Sequence, residues 1–199
     1  SDKKILELEK ATKQTELQQL KKQINPHFLF NMLNNANILV KDAPDEASQI
    51  LEKLDNLLRY QLNDSTRREV FLTADIQFLT SFLELEKVRR DHFEYTIFQE
   101  GNMENICIPP LLFIPFVENA VKHNLDSDNL SYVHLYFSVH NKQLTFRCEN
   151  SKPRVPVKRE GGIGLANVKR RLDLLYESRY TLQIEDKETT YNVNLHLNL

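Results

Sequence analysis

The feature that most constrains the fold is a long helical pattern at the start of the chain. Residues 3 to about 41 contain no glycine, and Pro26 is the one proline among them. Before Pro26 the apolar residues recur at a patchy three- and four-residue spacing, at Ile5, Leu8, Leu17, Leu20 and Ile24. This pattern predicts one long helix interrupted at Pro26. It suits a coiled coil entering a helical bundle, with a lone amphipathic helix as the alternative.

A second helix is predicted after the turn at residues 42–46. Pro44 is tolerated in a first helical turn, and acidic residues there favour the positive end of the helix. The following apolar residues form a stripe on one face, namely Ala47, Ile50, Leu51, Leu54, Leu57, Leu58 and Leu62. Two helices joined by a short turn form an antiparallel hairpin. One hairpin buries little surface alone, so a homodimer with a four-helix bundle is expected.

The pattern changes after a polar stretch at residues 63–68, which indicates a linker. A third helix is predicted from a cap at Thr73 to about Arg89, a fourth from Pro110 to about His123, and a last one ending near Tyr176. Alternating polar and apolar residues predict strands near residues 93–99, 133–139, 144–148, 181–185 and 191–197, with a hairpin turn at residues 141–142. Helices mixed with adjacent antiparallel strands predict an α+β fold.

Composition excludes several classes of protein. The formal net charge of −2 gives no electrostatic case for nucleic acid as the main partner. No run approaches the roughly 20 apolar residues that cross a bilayer. The two cysteines, Cys107 and Cys148, lie in no metal-binding pattern, which predicts buried thiols in a reducing compartment, with a disulfide as the alternative. The sequence begins inside a helical pattern, which indicates a piece of a longer protein.

The most specific motif is the segment QINPHFLFN, which starts at residue 23 and contains Pro26 and His27. On a helix, His27 shares one face with three amides, Asn31, Asn34 and Asn35, while the neighbouring residues are apolar. Pro26 removes a helix hydrogen bond and is expected to bend the helix where His27 is displayed. The motif indicates a functional histidine; a histidine packed beside a kink is the alternative.

This segment resembles the phosphoacceptor segment of the LytS/YehU-type sensor histidine kinases. The later string LLRY, at residues 57–60, is similar to the second helix of that family. The resemblance implies that His27 accepts the γ-phosphoryl group of ATP and passes it to an aspartate of a response regulator, one with a LytTR-type DNA-binding output. It also implies a sensor region upstream, so that this chain is the cytoplasmic portion of a bacterial inner-membrane protein.

A second motif, PPLLFIPFVENAVKHN, occupies residues 109–124. Its polar side chains gather at the end of an apolar helix, where an amide oxygen suits Mg²⁺ and a lysine suits phosphate. It looks like the N box of the GHKL ATPase superfamily, shared by histidine kinases, gyrase and Hsp90. The resemblance assigns Asn119 to Mg²⁺ and gives Glu118 the catalytic role of polarising the attacking nucleophile. It places three further residues near the phosphates, Lys122, His123 and Asn124. A solvated helix end is the alternative.

A third motif, GGIGLANVKRR, starts at residue 161. Glycines let backbone N–H groups approach a phosphate closely, and a helix start favours an anion. The motif follows the N box and resembles the last glycine-rich box of the superfamily. The resemblance implies that Gly162 and Gly164 hold the phosphates, with Leu165 and Asn167 beside them. A plain helix-entry turn is the alternative.

One position departs from the superfamily pattern. Many members have an Asp-x-Gly motif whose aspartate binds the adenine amino group, and strand alternation places Asn150 there, followed by Ser151 and Lys152. An asparagine can still hydrogen-bond adenine. The usual glycine is missing, and the loop from residue 150 to Gly161 is short, which predicts a minimal lid over the nucleotide.

These motifs predict an ATP- and Mg²⁺-dependent protein histidine kinase with two parts. Residues 1–65 form the helical hairpin for dimerisation and phosphotransfer, and residues 66–199 form a GHKL-type α/β-sandwich that binds ATP. Residues 63–68 are the expected hinge that lets the ATP-binding part reach His27. Asn150 and Lys152 motivate one alternative, a signalling scaffold that binds nucleotide poorly and catalyses nothing. A superfamily ATPase without a phosphohistidine is another, but it leaves the Pro26-His27 segment unexplained.

Overall fold

A computed structural model of the chain describes residues 2–20, 26–155 and 163–199. The helices in these ranges are α1 (Asp2–Leu20), α2 (Pro26–Leu39), α3 (Pro44–Leu62), α4 (Leu72–Arg89), α5 (Ile114–His123) and α6 (Ile163–Tyr176). The strands are β1 (Val70–Phe71), β2 (Phe93–Glu100), β3 (Cys107–Ile108), β4 (Ser131–His140), β5 (Gln143–Ser151), β6 (Tyr180–Asp186) and β7 (Thr190–Asn198). None of the helices described here is long and apolar enough to span a bilayer.

Helices α2 and α3 form the predicted hairpin. The predicted N-terminal helix is described as α1 and α2. Its continuity and the bend expected at Pro26 involve residues 21–25, which lie outside the described residues, so both stay predictions. The stripe on α3 is only partly buried: Ala47, Ile50, Leu54 and Leu57 are in the core. Leu51, Leu58 and Leu62, predicted to share that face, are exposed, because they lie on the side of α3 turned away from α2 and α4.

Helix α4 lies between the hairpin and the sheet and is buried on most of its surface. It begins at Leu72 and not after a cap at Thr73. The short ladder of β1 and β3 sets this start, because the Leu72 N–H donates to the Ile106 carbonyl at 2.8 Å. Aromatic pairs join α4 to the hairpin, with Phe78 stacked on Tyr60 at 4.4 Å between ring centroids.

The large sheet has the strand order β2-β4-β5-β7-β6, with β2 parallel to β4 and the other pairs antiparallel. Its hairpin turn is confirmed at Asn141 and Lys142, whose φ angles of 48° and 61° suit a tight two-residue turn. Side chains on one face are buried beneath α4 and α5, including Leu135, Phe146 and Leu195. Helices α4 and α5 therefore pack on the sheet, which positions the N-box segment over its inner face.

Two further expectations are corrected. Helix α5 begins at Ile114 and not at Pro110, because Leu111 has a φ of 58°, which no α-helix contains. The cysteines are both free thiols, but only Cys148 is buried; Cys107 is exposed on β3. The left-handed residue turns the chain immediately before α5 and so fixes where its helix axis starts.

The buried core runs without a break from Met32 on α2 to Leu197 on β7. It crosses the predicted boundary between residues 65 and 66, where a 3-10 helix spans Asp64–Thr66 and the Ser65 side chain is buried. The division into two parts, and the hinge at residues 63–68, stay predictions.

Candidate functional site

His27 is exposed at the second position of α2. Pro26 is the first residue of α2 within the described range. The next side chain, Phe28, packs against Phe82 of α4 with 5.0 Å between ring centroids. Asn31 on the same face is half-buried. The first turn of α2 is thus anchored on α4 while the imidazole of His27 faces outward.

The N-box residues form one polar face of α5. Lys122 is exposed, and Glu118, Asn119 and His123 are half-buried. The opposite face is fully apolar and packs on β4 and β5, through residues such as Val117, Ala120 and Val121. Spacings of three and four residues bring the polar side chains together. The arrangement offers an amide oxygen, an ammonium group and a carboxylate within one helical turn, which is the donor set expected for Mg²⁺ and phosphate.

Asn124 is placed differently from the other N-box residues. It is fully buried, and its amide oxygen accepts a hydrogen bond from Arg90 at 2.8 Å. Its amide nitrogen donates to the Tyr132 carbonyl at 3.0 Å. Both ends of the amide are therefore used inside the protein, where Asn124 holds the end of α5; the phosphate contact that the resemblance assigns to it stays a prediction.

Asn150 lies on the inward face of β5, as strand alternation predicts, and is 1% exposed. Its amide nitrogen donates to the Ser151 carbonyl at 2.9 Å. Lys152 stands where the superfamily glycine is expected; it forms an ion pair with Asp186 on β6, and its N–H donates to the Thr189 carbonyl at 2.9 Å. Neighbouring backbone and strands therefore fix this segment. Strand β5 packs against α5, so Asn150 and the polar residues of that helix lie on neighbouring elements.

The described part of the glycine-rich motif forms the first turns of α6. Gly164 and Asn167 are exposed and Leu165 is half-buried, while Gly162 lies outside the described residues. Among the described residues, a Cβ atom at Gly164 would meet nothing within 4 Å. Packing against the described residues therefore does not require glycine at 164.

Replacing Gly164 by alanine should separate folding from ligand binding. We expect the free energy of unfolding to stay equal or to rise by about 0.5 kcal/mol, since alanine favours a helix. We expect ATP affinity to fall about tenfold, because the methyl group would stand where the backbone approaches phosphate. Thermal unfolding and nucleotide titration measure the two effects. The matched control is Ala166→Gly, which should lose a little stability and keep its affinity; unchanged affinity in Gly164→Ala would place the phosphates elsewhere.

A buried charged cluster was missed by the sequence analysis. The Tyr60 hydroxyl on α3 donates to Asp75 on α4, and Arg171 on α6 donates to the Leu111 and Pro110 carbonyls at 2.7 and 2.6 Å. Burial raises the pKa of Asp75 to about 6, against the lowering effects of the Tyr60 hydrogen bond and the Arg171 charge. One signal in the sequence could have revealed this cluster: Arg171 is a charged residue within an apolar stripe of α6, beside buried Val168 and Leu172.

Comparison with known proteins finds histidine kinases. The histidine kinase family model matches residues 15–93. The Sensor protein LytS of Staphylococcus haemolyticus is 30% identical over 203 residues, which cover 94% of this chain and 35% of that protein. Sensor histidine kinase YpdA of Escherichia coli is 31% identical over 119 residues, 60% of this chain and 21% of that protein. The chain thus spans about a third or less of the relatives' length.

Among solved structures, the histidine kinase domain of the Erythrobacter litoralis EL346 blue-light activated histidine kinase has a TM-score of 0.52 at 16% identity, covering 95% of this chain and 93% of that chain. The α+β fold therefore matches that of this histidine kinase domain. The sequence resemblance is confirmed as well: this chain is related to the LytS-type sensor histidine kinases.

Proposed function

We propose that this chain is the kinase portion of a sensor histidine kinase, which uses ATP and Mg²⁺ to phosphorylate its own His27. The observation that carries the proposal is the polar face of α5, which presents Glu118, Asn119 and Lys122 within about one helical turn on a helix that contacts β5 and α6. The exposed imidazole of His27 on an anchored helix start supplies the acceptor.

Phosphoryl transfer depends mainly on positioning and on neutralising charge. Asn119 would hold Mg²⁺, while Lys122, His123 and the backbone N–H groups at Gly164 and Leu165 would hold the phosphates; Asn167 and, beyond the described residues, Gly162 would extend that contact. Asn150 would bind the adenine amino group. A ring nitrogen of His27 forms the bond to the γ-phosphorus as the bond to the bridging oxygen breaks, and ADP leaves. Glu118 would polarise the imidazole by accepting its other N–H.

The partners are proposed on two grounds. The hairpin leaves large apolar side chains exposed, namely Phe30, Leu33, Ile38, Leu51, Leu58 and Leu62. Such a surface fits a second copy of the hairpin in a four-helix bundle. The relation to sensor proteins supports a response regulator as the phosphoryl acceptor, with the LytTR-type output that the sequence resemblance implies. It also supports a sensor region that would tether this portion to the bacterial inner membrane.

A signalling scaffold without catalysis is the second candidate function. It is motivated by Asn150 in place of an aspartate and by Lys152, which is committed to Asp186. A scaffold of this kind would have no affinity for Mg²⁺-ATP, whereas the proposed kinase requires it. Calorimetric titration of the chain with Mg²⁺-ATP therefore separates the two.

The experiment that tests the proposed function is incubation of the chain with Mg²⁺ and ATP labelled at the γ-phosphate. We expect label to stay on the protein, labile to acid and stable to base, because a phosphoramidate bond hydrolyses in acid. Nucleotide hydrolysis without retained label would indicate a superfamily ATPase. If the chain neither binds Mg²⁺-ATP nor retains label, the result would favour the scaffold.

A further inference from the structure

We propose that Arg90 is a positioning residue for the ATP site, because it fixes the C-terminal end of α5. The inference rests on the proposed function, in which α5 carries the groups that face Mg²⁺ and phosphate. Arg90 follows α4 directly and lies outside the N-box motif. Its role is therefore to hold another element in place and not to touch the nucleotide.

The contacts of Arg90 are with the last turn of α5. One guanidinium nitrogen donates to the Asn124 side-chain oxygen at 2.8 Å and to the Val121 carbonyl at 3.4 Å. A second donates to the Asn124 carbonyl at 3.4 Å. The final carbonyls of a helix have no partner within the helix, and a cation there also suits the negative end of the helix dipole. Arg90 thus caps α5 from a neighbouring element.

Arg90 is itself held firmly. Its side chain is 10% exposed and lies 3.9 Å from the carboxylate of Glu86, which is 1% exposed. The guanidinium also lies over the Phe93 ring, 4.5 Å from the centroid. A planar, buried and paired guanidinium has few alternative positions. The carbonyls it binds are therefore fixed relative to α4 and to the first residue of β2.

The other side of the same turn is tied to the sheet. The Asn124 amide nitrogen donates to the Tyr132 carbonyl at 3.0 Å, and the Ser131 hydroxyl donates to the Asn124 carbonyl at 2.8 Å. Lys122 and His123 immediately precede this anchored residue. Because the turn is held from both α4 and β4, its rotation about the helix axis is fixed, and with it the direction in which the polar face points.

Small displacements matter for such a site. A shift of about 1 Å in a positioned group can cost about a hundredfold in rate. Without the guanidinium, the Val121 and Asn124 carbonyls would lose a donor, and the last turn of α5 would fray toward solvent. The groups on α5 that are proposed to neutralise phosphate charge and to hold Mg²⁺ would lose their fixed orientation. The proposed adenine contact from β5 would be unaffected.

The test is Arg90→Gln in this chain, compared with Arg89→Gln. Arg89 also pairs with Glu86, but its side chain is 36% exposed. The control therefore removes one positive partner of the same carboxylate and leaves the contacts of Arg90 with α5 in place. We expect the Kd for ATP with Mg²⁺ to rise about tenfold in Arg90→Gln, and the gain in ATP affinity on adding Mg²⁺ to disappear. Arg89→Gln should bind ATP as the parent does. A purely structural role would lower the folded fraction without changing the Mg²⁺ dependence.

A folded Arg90→Gln variant with the Kd and Mg²⁺ dependence of the parent would overturn the inference. If that variant does not fold, Arg90→Lys decides, since an ammonium keeps the charge but lacks the planar fork. It should weaken Mg²⁺-ATP binding severalfold, and parent-like binding would overturn the inference. A parent chain that binds no Mg²⁺-ATP would instead overturn the proposed function, together with this inference, which depends on it.

Discussion

Replacing His27 by glutamine should abolish the retention of labelled phosphate on the chain while leaving Mg²⁺-ATP binding unchanged. Glutamine has no ring nitrogen that can attack phosphorus. His27 is exposed on α2, whereas the residues proposed to bind nucleotide lie on α5, β5 and α6. The substitution should therefore leave the nucleotide site intact. The measurement pairs label retention with calorimetric ATP binding on the same preparation.

The matched control is His134→Gln, an exposed histidine on β4. The amount of labelled phosphate retained by His134→Gln should equal that retained by the parent. Label that persists in His27→Gln would show that another side chain, such as His123, is the acceptor. Loss of ATP binding in His27→Gln would show that the two regions are not independent, and the loss of label would then not identify the acceptor.

Replacing Arg171 by methionine should destabilise the fold by about 3 to 5 kcal/mol, because breaking a buried charged network leaves its partners unsatisfied. The Pro110 and Leu111 carbonyls would lose their donors, and the Asp75 carboxylate would lose the nearby positive charge. Methionine keeps the length and apolar contacts of the side chain, so packing changes little. Guanidinium-induced unfolding, followed by circular dichroism, measures the loss.

Arg170→Met is the control at the adjacent position. Arg170 forms an exposed ion pair with Glu16 on α1 at 2.7 Å, and such a pair contributes about 1 kcal/mol or less. Equal losses in the two variants would contradict the special role assigned to Arg171.

The loss in Arg171→Met should also depend on pH. The raised pKa of Asp75 means that the folded state keeps this proton to about pH 6, whereas the unfolded carboxyl, with the ordinary value of 3.8, releases it earlier. The contribution of Asp75 to stability therefore falls as pH rises from about 4 to 6. At pH 5 Asp75 is neutral and needs no cation, so Arg171→Met should lose less stability there than at pH 7.5.

Local sequence signals predicted the elements whose residues interact mainly with near neighbours. The alternation from Leu144 to Cys148 gives the inward face of β5, and the turn at Asn141–Lys142 is set by two residues alone. The polar face of α5 follows from helical spacing within one motif. These parts of the candidate site can be predicted from the sequence alone.

The remaining features depend on partners distant in the chain. Asn124 belongs to an N-box motif, yet its amide is bound by Arg90 and Tyr132, and spacing within the motif gives no sign of this. The left-handed Leu111 delays the start of α5 by four residues from the predicted Pro110, because the Arg171 contacts hold that turn. Buried charges such as these are set by tertiary contacts, which local periodicity does not encode.

The unbroken core between hairpin and sheet has a consequence for protein engineering. Sensor modules are often exchanged by joining two genes at a module border, and residues 63–68 would be the natural junction. A junction there would take contacting residues from two different parents. Tyr60 would no longer meet its own Phe78 and Asp75, and Phe28 would no longer meet its own Phe82. Chimeras should therefore keep α2, α3 and α4 from one parent and place the junction ahead of Pro26.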